Sequence, residues 1–504
     1  MLTFADPLRR ATQVAAGKTA IISGDKSFTF AELADRCARL SGGLKKLGLE
    51  KGDRVAIWSN NNHQYVETYV GVPAGGLVVV PLNTRHSEPE LLYALTDAQA
   101  KVLITDRDPA GLSDVVDRVV RIGDEYEALL QGAEPDSLGD GVTEDDLAGL
   151  FYTGGTTGQS KGVMLSHRNL VSNTFHWLSM IPQGEQDVFL VMAPLFHAAG
   201  SNSVLGSIWT TGCQVTLEAF VPANALDLIE KHQVTQTLGV PAMLSAIAEE
   251  QHTNPRQVES VRSISHGGSP IATGVLRRTS TAFPSADLNG LYGATELSPL
   301  ATILRHEQNM LDEPTARSCG QSYPGVDVRI LTTEGDEVAS GEIGEIVVRG
   351  PNVMLGYWNK EEQTNSVLKD GAYWTGDLGY IDAQGFVYVV DRTKDMIVSG
   401  GENIYSTEVE EILYQHPAVL EAAVFGVPDE TWGEAVHAAI VPRPEHHNID
   451  PNEIIEFCRA HIAGYKVPKG IDMWTEPLPK SGPGKVLKRE LRAPYWGGKD
   501  RAVN

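Results

Sequence analysis

Cysteine is scarce in this sequence, and its few copies are scattered. Only four cysteines occur in 504 residues, at positions 37, 213, 319 and 458, with no Cys-x-x-Cys pair. A disulfide framework or a cysteine-ligated zinc site needs paired or regularly spaced cysteines, so neither is expected. Cys37 falls on an apolar helical stripe, which predicts a core residue.

The sequence also lacks a long hydrophobic run. Its most apolar stretch, residues 70–82, is interrupted by Pro73 and by glycines and is shorter than a membrane span. Residues 1–7 lack the apolar core of a cleavable signal. We therefore expect a cytoplasmic protein without a transmembrane segment.

Basic residues are outnumbered by acidic ones. The chain has 41 Lys and Arg against 65 Asp and Glu, a formal charge of −24. Broad nucleic-acid binding needs a basic surface, so this class is not expected. A polyanionic small ligand would have to be bound by locally concentrated basic residues and backbone NH groups. Basic residues beside glycine-rich turns therefore carry the most information.

The length and the hydrophobic pattern predict several folded units of the α/β class. A chain of 504 residues exceeds what one hydrophobic core usually organises. Residues 29–48 predict a helix, because Thr29 and Glu32 form a capping box before apolar residues at steps of three and four. Strand-type runs at 54–58, 77–82 and 101–105 are separated by helix-length segments. This alternation predicts a doubly wound parallel sheet with helices on its faces.

The pattern changes in the second half of the chain. Residues 132–146, rich in Gly, Asp and Glu, predict a surface linker. Short β-branched runs between 326 and 388 predict a β-rich subdomain. After residue 391, helices beginning near Ser406 and Asp450 alternate with strands near 422–427 and 436–442. A small α+β C-terminal domain is expected there.

Residues 152–162 read YTGGTTGQSKG, which is typical of a phosphate-binding loop. Closely spaced glycines let backbone NH groups face an anion, threonine hydroxyls add donors, and lysine adds charge. The Walker pattern GK[ST] is absent. Taken alone, the segment is equally compatible with a flexible turn. The predicted ATP ligands here are Thr153, Gly154, Gly155, Thr156, Thr157, Gly158 and Lys161.

Five further motifs follow the loop in order. They are PLFHAAG (194–200), LYGATE (291–296), YWTGDLG (373–379), DRTKDMIVSGGENIYSTEVEE (391–411) and PKSGPGKVLKREL (479–491). With the loop, they make the chain resemble the adenylate-forming superfamily of acyl-CoA synthetases, peptide-synthetase adenylation domains and firefly luciferases. Gly155 departs from the serine more often found there. Glycine still donates its backbone NH, so little loss is expected.

The resemblance implies a nucleotide site. Tyr292 would stack on adenine, Thr295 would contact phosphate and Glu296 would bind Mg²⁺, as suits an aromatic face and a carboxylate. Asp377 would bind the ribose hydroxyls. The other implied nucleotide contacts are Gly268, Ser269, Pro270, Gly293 and Arg392.

The same resemblance implies a moving C-terminal domain. Lys485 would stabilise the charge that builds up during adenylation. The implied division is residues 1–391 and 395–504, with a hinge at 392–394 and Lys394 as the hinge residue. After rotation, Gly400 and Gly401 would line a tunnel for the pantetheine arm, because a side chain there would fill it.

Contacts with coenzyme A and with the acid are implied less completely. Arg85 and Lys469 would bind CoA phosphates and Tyr465 would stack on the CoA adenine, whereas Val467 stands where related ligases carry arginine. His197 would gate the acyl pocket. The small residues after it, and the lack of an acid for an α-amino group, favour a plain apolar acid over an amino acid.

The function implied is an ATP-dependent acyl-CoA ligase that uses ATP, Mg²⁺ and coenzyme A. A fatty acid is the favoured substrate, and an aryl acid is the alternative. An adenylation enzyme that loads a carrier protein, a luciferase-like oxygenase and a binding protein without catalysis are the competing functions. A homodimer is left open.

Overall fold

The computed structural model describes residues 2–153, 159–306, 311, 313–400, 402–429, 431–480 and 486–497, with only the backbone of Ser201. The chain forms two compact units. The first unit comprises residues 1–328 and 348–373, and the second comprises residues 329–347 and 374–504.

The described residues form helices and strands along the whole chain. The helices are α1 (Ala5–Ala15), α2 (Phe30–Lys46), α3 (His63–Ala74), α4 (Glu88–Ala98), α5 (Asp124–Gln131), α6 (His167–Met180), α7 (Ala199–Thr210), α8 (Pro222–His232), α9 (Pro241–Thr253), α10 (Thr273–Ala282), α11 (Glu361–Val367), α12 (Ser406–Gln415), α13 (Pro451–His461) and α14 (Lys488–Trp496). The strands are β1 (Thr19–Ser23), β2 (Lys26–Thr29), β3 (Arg54–Trp58), β4 (Val78–Pro81), β5 (Ala100–Thr105), β6 (Arg118–Arg121), β7 (Leu147–Thr153), β8 (Lys161–Ser166), β9 (Val188–Val191), β10 (Cys213–Thr216), β11 (Gln236–Gly239), β12 (Ser263–Gly267), β13 (Asp287–Tyr292), β14 (Thr302–His306), β15 (Gln321–Ser322), β16 (Asp327–Leu331), β17 (Gly344–Arg349), β18 (Gly356–Tyr357), β19 (Leu368–Lys369), β20 (Ala372–Ile381), β21 (Val387–Arg392), β22 (Ile397–Ser399), β23 (Glu402–Ile404), β24 (Val419–Asp429), β25 (Gly433–Pro442) and β26 (Gly470–Met473).

The N-terminal elements confirm the predicted helix and strands. Thr29 is the N-cap of α2, and the capping box with Glu32 is formed. Cys37 is buried on this helix, as its apolar stripe predicts. Strand β3 pairs in parallel with both β4 and β5.

Two large sheets form the frame of the first unit. One has seven strands in the order β18-β8-β7-β4-β3-β5-β6, and the other has nine in the order β15-β14-β13-β12-β11-β9-β10-β1-β2. A hydrophobic cluster that includes Leu190, Ile264 and Leu288 packs against one face of the nine-stranded sheet. The predicted α/β class is confirmed.

Residues 132–146 are irregular but packed, which the prediction of a surface linker did not anticipate. Ala133 and Val142 are buried. The Asp136 Oδ2 accepts hydrogen bonds from Ser41 Oγ and Lys45 Nζ, both at 2.6 Å. The segment is therefore held against α2 by polar contacts that its composition does not reveal.

The second unit contains the predicted β-rich part and the α+β part. Strands β16, β17, β20 and β21 are paired in one sheet, and β23, β22, β25, β24 and β26 form another. Helices α12 and α13 begin within one residue of the predicted positions, and their apolar faces pack in one cluster with β24 and β25. The division of the chain at residues 392–394 stays a prediction. Among the described residues, no helix is both long and apolar enough to cross a membrane.

Candidate functional site

Three of the sequence motifs follow parallel strands of the nine-stranded sheet. Strands β9, β11, β12 and β13 are mutually parallel neighbours. His197 comes after β9, the Gly268 turn comes after β12, and Tyr292 ends β13. Ligands of open α/β sheets bind at the carboxyl ends of the strands. His197 and Tyr292, 95 positions apart, are thus brought to one edge of the sheet.

The predicted phosphate loop connects two paired strands. Thr153, at the end of β7, pairs with Lys161 at the start of β8, and Tyr152 pairs with Gly162. The predicted ligands Gly154, Gly155, Thr156, Thr157 and Gly158 lie outside the described residues. The antiparallel pairing places Thr153 and Lys161 opposite each other at the base of the loop.

Tyr357 joins the phosphate loop to the predicted metal ligand, and the sequence motifs did not include it. The Lys161 Nζ lies 4.6 Å from the centre of the Tyr357 ring. The Tyr357 hydroxyl donates a hydrogen bond to Glu296 Oε1 at 2.8 Å. Burial, and secondly the Glu296 charge, raise the pKa of Tyr357, so its hydroxyl stays protonated and remains a donor.

The backbone around Tyr357 is paired on both sides. Tyr357 pairs with Val163 of β8, and the Met354 amide donates to the Glu296 carbonyl at 2.9 Å. Residues 354–358 therefore lie between the strand that begins at Lys161 and the short 3-10 helix Thr295–Leu297. The Gly356-Tyr357 pair was the sequence signal for this strand.

The LYGATE turn requires glycine at its centre. A Cβ atom on Gly293 would lie 1.9 Å from the Pro299 carbonyl oxygen, which no side chain tolerates. Gly268, in the neighbouring turn, has a φ of +81°, a conformation that favours glycine. Ser269 and Pro270 follow it at the surface. Close backbone approach thus explains Gly293, and a positive φ explains Gly268.

His197 is a neutral histidine at this edge. Burial, and then the charges of Arg85 and His86, lower its pKa to about 4. Its Nε2 is shielded from solvent and has no hydrogen-bond partner within the part of the chain that the structure describes. The ring contacts Phe196, with centroids 4.5 Å apart. A neutral ring in an apolar setting is compatible with a gate beside an acyl pocket.

Two predicted nucleotide ligands are adjacent in the second unit. Asp377 and Arg392 are register partners on β20 and β21. The Arg392 Nε lies 3.2 Å from Asp377 Oδ1. The guanidinium orients the carboxylate that the resemblance assigns to ribose.

Trp432 lies against the predicted tunnel wall and was also missed. The Gly400 amide donates to the Trp432 carbonyl at 2.8 Å. A Cβ on Gly400, whose φ is +61°, would lie 2.8 Å from the Trp432 ring. Trp432 is 55% exposed, which is unusual for tryptophan. Gly401 lies outside the described residues.

Two of the predicted CoA contacts of the second unit, Tyr465 and Lys469, are exposed. Tyr465 and Lys469 lie in the segment before β26, and the Lys466 Nζ lies 5.6 Å from the centre of the Tyr465 ring. Val467 is only 2% exposed and belongs to the hydrophobic core. The side chain at position 467 is directed into the core, so it cannot contact a CoA phosphate.

Lys485 falls in residues 481–485, outside the described residues, but the flanking residues are well anchored. Lys480 and Val486 form an antiparallel bridge, and the Leu487 amide donates to the Pro479 carbonyl at 2.8 Å. The Lys480 Nζ lies 2.6 Å from Glu421 Oε1. The two ends of the segment are thus held together.

Tyr357→Phe is expected to lower acid-dependent ATP–pyrophosphate exchange about tenfold and to raise the Mg²⁺ concentration needed for half-maximal rate. The substitution removes the hydrogen bond that orients Glu296, and bonds to charged groups contribute about 1.5–3 kcal/mol. Titrating exchange with Mg²⁺ measures this. Tyr93→Phe is the control, since the Tyr93 hydroxyl has no partner among the described residues. An unchanged Mg²⁺ requirement would remove Tyr357 from the site.

Comparison with known families identifies two matching regions. Residues 8–358 match the family model described as AMP-binding enzyme. Residues 408–485 match the model of the AMP-binding enzyme C-terminal domain.

Curated proteins align with nearly the whole chain. A feruloyl-CoA synthase from an Amycolatopsis species is 40% identical, over 96% of this chain and 97% of that protein. A fatty acid–[acyl-carrier-protein] ligase from Streptomyces coeruleorubidus is 32% identical, over 96% and 95%. A long-chain-fatty-acid–CoA ligase from Bacillus subtilis is 35% identical, over 94% and 91%.

Solved structures show the same fold. ATP-bound MatB from Rhodopseudomonas palustris has a TM-score of 0.90 and 30% identity, covering 98% of this chain and 99% of that chain. The o-succinylbenzoate CoA synthetase of Bacillus subtilis, in complex with its acyl-adenylate intermediate, has a TM-score of 0.86 and 31% identity, covering 96% and 97%.

Proposed function

Because the chain belongs to the AMP-binding enzyme family, we propose that it converts an aromatic carboxylic acid to an acyl-adenylate and then to its coenzyme A thioester. The chain is an ATP-dependent acyl-CoA ligase: relatives that include the one with 40% identity are CoA ligases over nearly the full length, and a structural neighbour holds an acyl-adenylate. The proposal concerns the acid and the roles of individual residues.

ATP, Mg²⁺ and coenzyme A are the reactants and the cofactor of this reaction. Among the described residues there is no cluster of three or more metal-ligating side chains. That fits Mg²⁺, which protein sites commonly hold through one or two carboxylates and the substrate phosphates. Glu296, oriented by Tyr357, is the carboxylate that we assign, and the ion would neutralise charge on the leaving pyrophosphate.

We assign the remaining roles as follows. Lys161 and the backbone NH groups of the phosphate loop bind the phosphates, and Tyr292 faces adenine. Asp377 holds the ribose hydroxyls while Arg392 orients it. Lys485 stabilises the negative charge that develops as the acid oxygen attacks the α-phosphate. His197, neutral at physiological pH, borders the acyl group.

The choice of an aromatic acid is supported by two buried polar side chains near the edge of the sheet. Ser265 on β12 and Asn289 on β13 are register partners, so they share one face of the sheet. Both are buried, and within the described chain neither the Ser265 Oγ nor the Asn289 Oδ1 has a hydrogen-bond partner. A buried hydroxyl and a buried amide oxygen are groups to which a phenolic hydroxyl can form hydrogen bonds and an alkyl chain cannot.

The position of these two side chains is the observation that carries the proposal. Ser265 precedes the Gly268 turn by three residues, and Asn289 precedes Tyr292 by three. Both therefore lie just below the edge where the predicted nucleotide ligands collect. The relative with 40% identity, named a feruloyl-CoA synthase, supports the same class of acid.

A panel of acids tests this choice. Ferulic, cinnamic and dodecanoic acids, each supplied with ATP and coenzyme A, should differ in pyrophosphate release, with ferulic acid giving the highest kcat/KM. A preference for dodecanoic acid would overturn the proposed acid class and leave the ligase activity intact.

Asn289→Leu is expected to reduce the ratio of kcat/KM for ferulic acid over cinnamic acid about tenfold. Only the acid with a ring hydroxyl loses a hydrogen bond, whose removal costs about 1–3 kcal/mol at a buried site. Asn365→Leu, at an exposed position of α11, is the control. If both acids lost activity equally, Asn289 would be a structural residue.

A carrier-protein ligase is the second candidate function. The fatty acid–[acyl-carrier-protein] ligase from Streptomyces coeruleorubidus aligns with 96% of this chain. Thioester formation measured with free CoA and with a phosphopantetheinylated carrier separates the two functions.

We propose CoA as the acceptor, with a cytoplasmic location, where ATP and CoA are supplied. Sedimentation equilibrium decides between a monomer and a homodimer.

A further inference from the structure

The chain just before Lys394 is tied to strand β20. The Thr393 amide and the Thr393 Oγ1 both donate to the Gly376 carbonyl, at 3.0 and 3.1 Å. Arg392 is paired in register with Asp377 of the same strand. The backbone up to Thr393 therefore moves with β20.

The chain just after Lys394 is tied to a different element, helix α14. The Arg492 Nη1 donates to the Lys394 carbonyl at 3.1 Å and lies 3.6 Å from Asp395 Oδ1. The Arg492 and Asp395 side chains are each only 16% exposed, so solvent screens the pair weakly. The peptide that follows Lys394 is thus attached to the helix that begins three residues after Lys485.

Helix α14 is itself firmly anchored. The Lys488 Nζ lies 2.8 Å from Glu410 Oε1 and donates to Ser406 Oγ at 2.5 Å. The Glu410 Oε1 also accepts from the Val424 amide at 2.8 Å. Leu491 is buried in a cluster with Phe425. Helix α14, α12 and β24 therefore form one body, and the Lys394 carbonyl belongs to it.

At least four hydrogen bonds between described residues cross Lys394 and hold the observed conformation, one of them from the Thr407 Oγ1 to the Val390 carbonyl. The Arg392 carbonyl accepts from the amides of Asp395 and Met396, at 2.9 and 3.0 Å. The Asp391 Oδ2 accepts from the Ser406 amide at 2.5 Å. A rotation at Lys394 must exchange these bonds, whereas the bond from Arg492 to the Lys394 carbonyl lies beyond the φ and ψ of Lys394 and can persist.

We propose that Arg492 is a positioning residue that confines the rotation to Lys394 and transmits it to the segment that carries Lys485. The proposal rests on the function and the hinge assigned above. With Arg492 in place, a change in φ and ψ of Lys394 carries α14 as a rigid body. Without Arg492, the dihedral change spreads over the backbone from Lys394 to Met396. Helix α14 then takes up several orientations, and Lys485 reaches its adenylation position in only a fraction of them.

The two half-reactions test this. Arg492→Ala should lower kcat of acid-dependent ATP–pyrophosphate exchange about tenfold or more, as expected for a lost bond from a charged donor. The KM for ATP should stay within about twofold, since Asp377 and Arg392 are unchanged. Thioester formation from preformed acyl-adenylate should stay within about threefold. Arg492→Lys, which keeps one donor, should recover part of the exchange rate.

Proteolysis gives a readout at the hinge itself. Endoproteinase Lys-C cleaves after lysine, and the bond after Lys394 is the one whose carbonyl Arg492 holds. Arg492→Ala should be cleaved there at least fivefold faster than the parent, as measured by mass spectrometry. Arg489→Ala is the matched control, because Arg489 is exposed on the same helix. It should change neither exchange nor cleavage.

Three results would overturn the proposal. They are parental exchange in Arg492→Ala, an equal loss in both half-reactions, and unchanged cleavage after Lys394. Measuring Lys485→Ala in the same exchange assay distinguishes a failure of the Arg492 proposal from a failure of the proposed function. If that variant retained exchange, the proposed function would fail, whatever the result for Arg492.

Discussion

Lys485→Ala is expected to lower acid-dependent ATP–pyrophosphate exchange by two to three orders of magnitude, the usual cost of losing one preorganised charge-stabilising group. Adenylation builds negative charge on the α-phosphate and on the leaving pyrophosphate, and we assign the stabilisation of that charge to the Lys485 ammonium. In the proposed mechanism, the second half-reaction uses a different face of the C-terminal domain. Thioester formation from preformed acyl-adenylate should therefore largely survive.

Lys485→Arg and Arg489→Ala are the controls for this result. The first keeps the charge with a different geometry and should recover only part of the rate. The second removes an exposed charge nearby in sequence and should have little effect. If both half-reactions fell together in Lys485→Ala, the proposed division of labour would be wrong.

Gly401→Leu is expected to abolish thioester formation nearly completely while pyrophosphate exchange persists. A branched side chain where only a hydrogen stood would block the pantetheine arm, because the neighbouring Gly400 already lies against Trp432. The groups that we assign to adenylation, Lys161 and Lys485, are unchanged. Acyl-adenylate should accumulate on the enzyme, which quenched-flow and chromatography would show.

Gly401→Ala provides a graded comparison. One methyl group should slow the thioester step less than leucine does, with exchange again unaffected. A folded Gly401→Leu enzyme that forms thioester at the parental rate would remove the tunnel from this model. Loss of exchange as well would indicate damage to the hinge region instead.

Features with a local cause were predictable from sequence. The capping box of Thr29 and Glu32 marks the start of α2, because the two side chains satisfy backbone groups within the same turn. The run 54–58 coincides with β3. The order of the six motifs was sufficient to identify the superfamily, since each motif is contiguous.

Features that depend on distant partners were not predictable. Tyr357 and Glu296 are 61 positions apart, and their contact exists because β18 pairs with β8. Arg492 and the Lys394 carbonyl are 98 positions apart. Residues 132–146 have the composition of a surface linker, but their contacts with α2 hold them in place.

The sequence by itself determined the fold class, the chemistry of the reaction and most of the residues assigned to it. Periodicity, caps and glycine turns act within a few residues, and they can be read without knowing the partners. Only the tertiary structure decided that Tyr357 orients Glu296, that Val467 is directed into the core and that Arg492 holds the peptide after Lys394. Hydrogen bonds and burial between remote segments depend on strand pairing and helix packing, which the whole chain determines together.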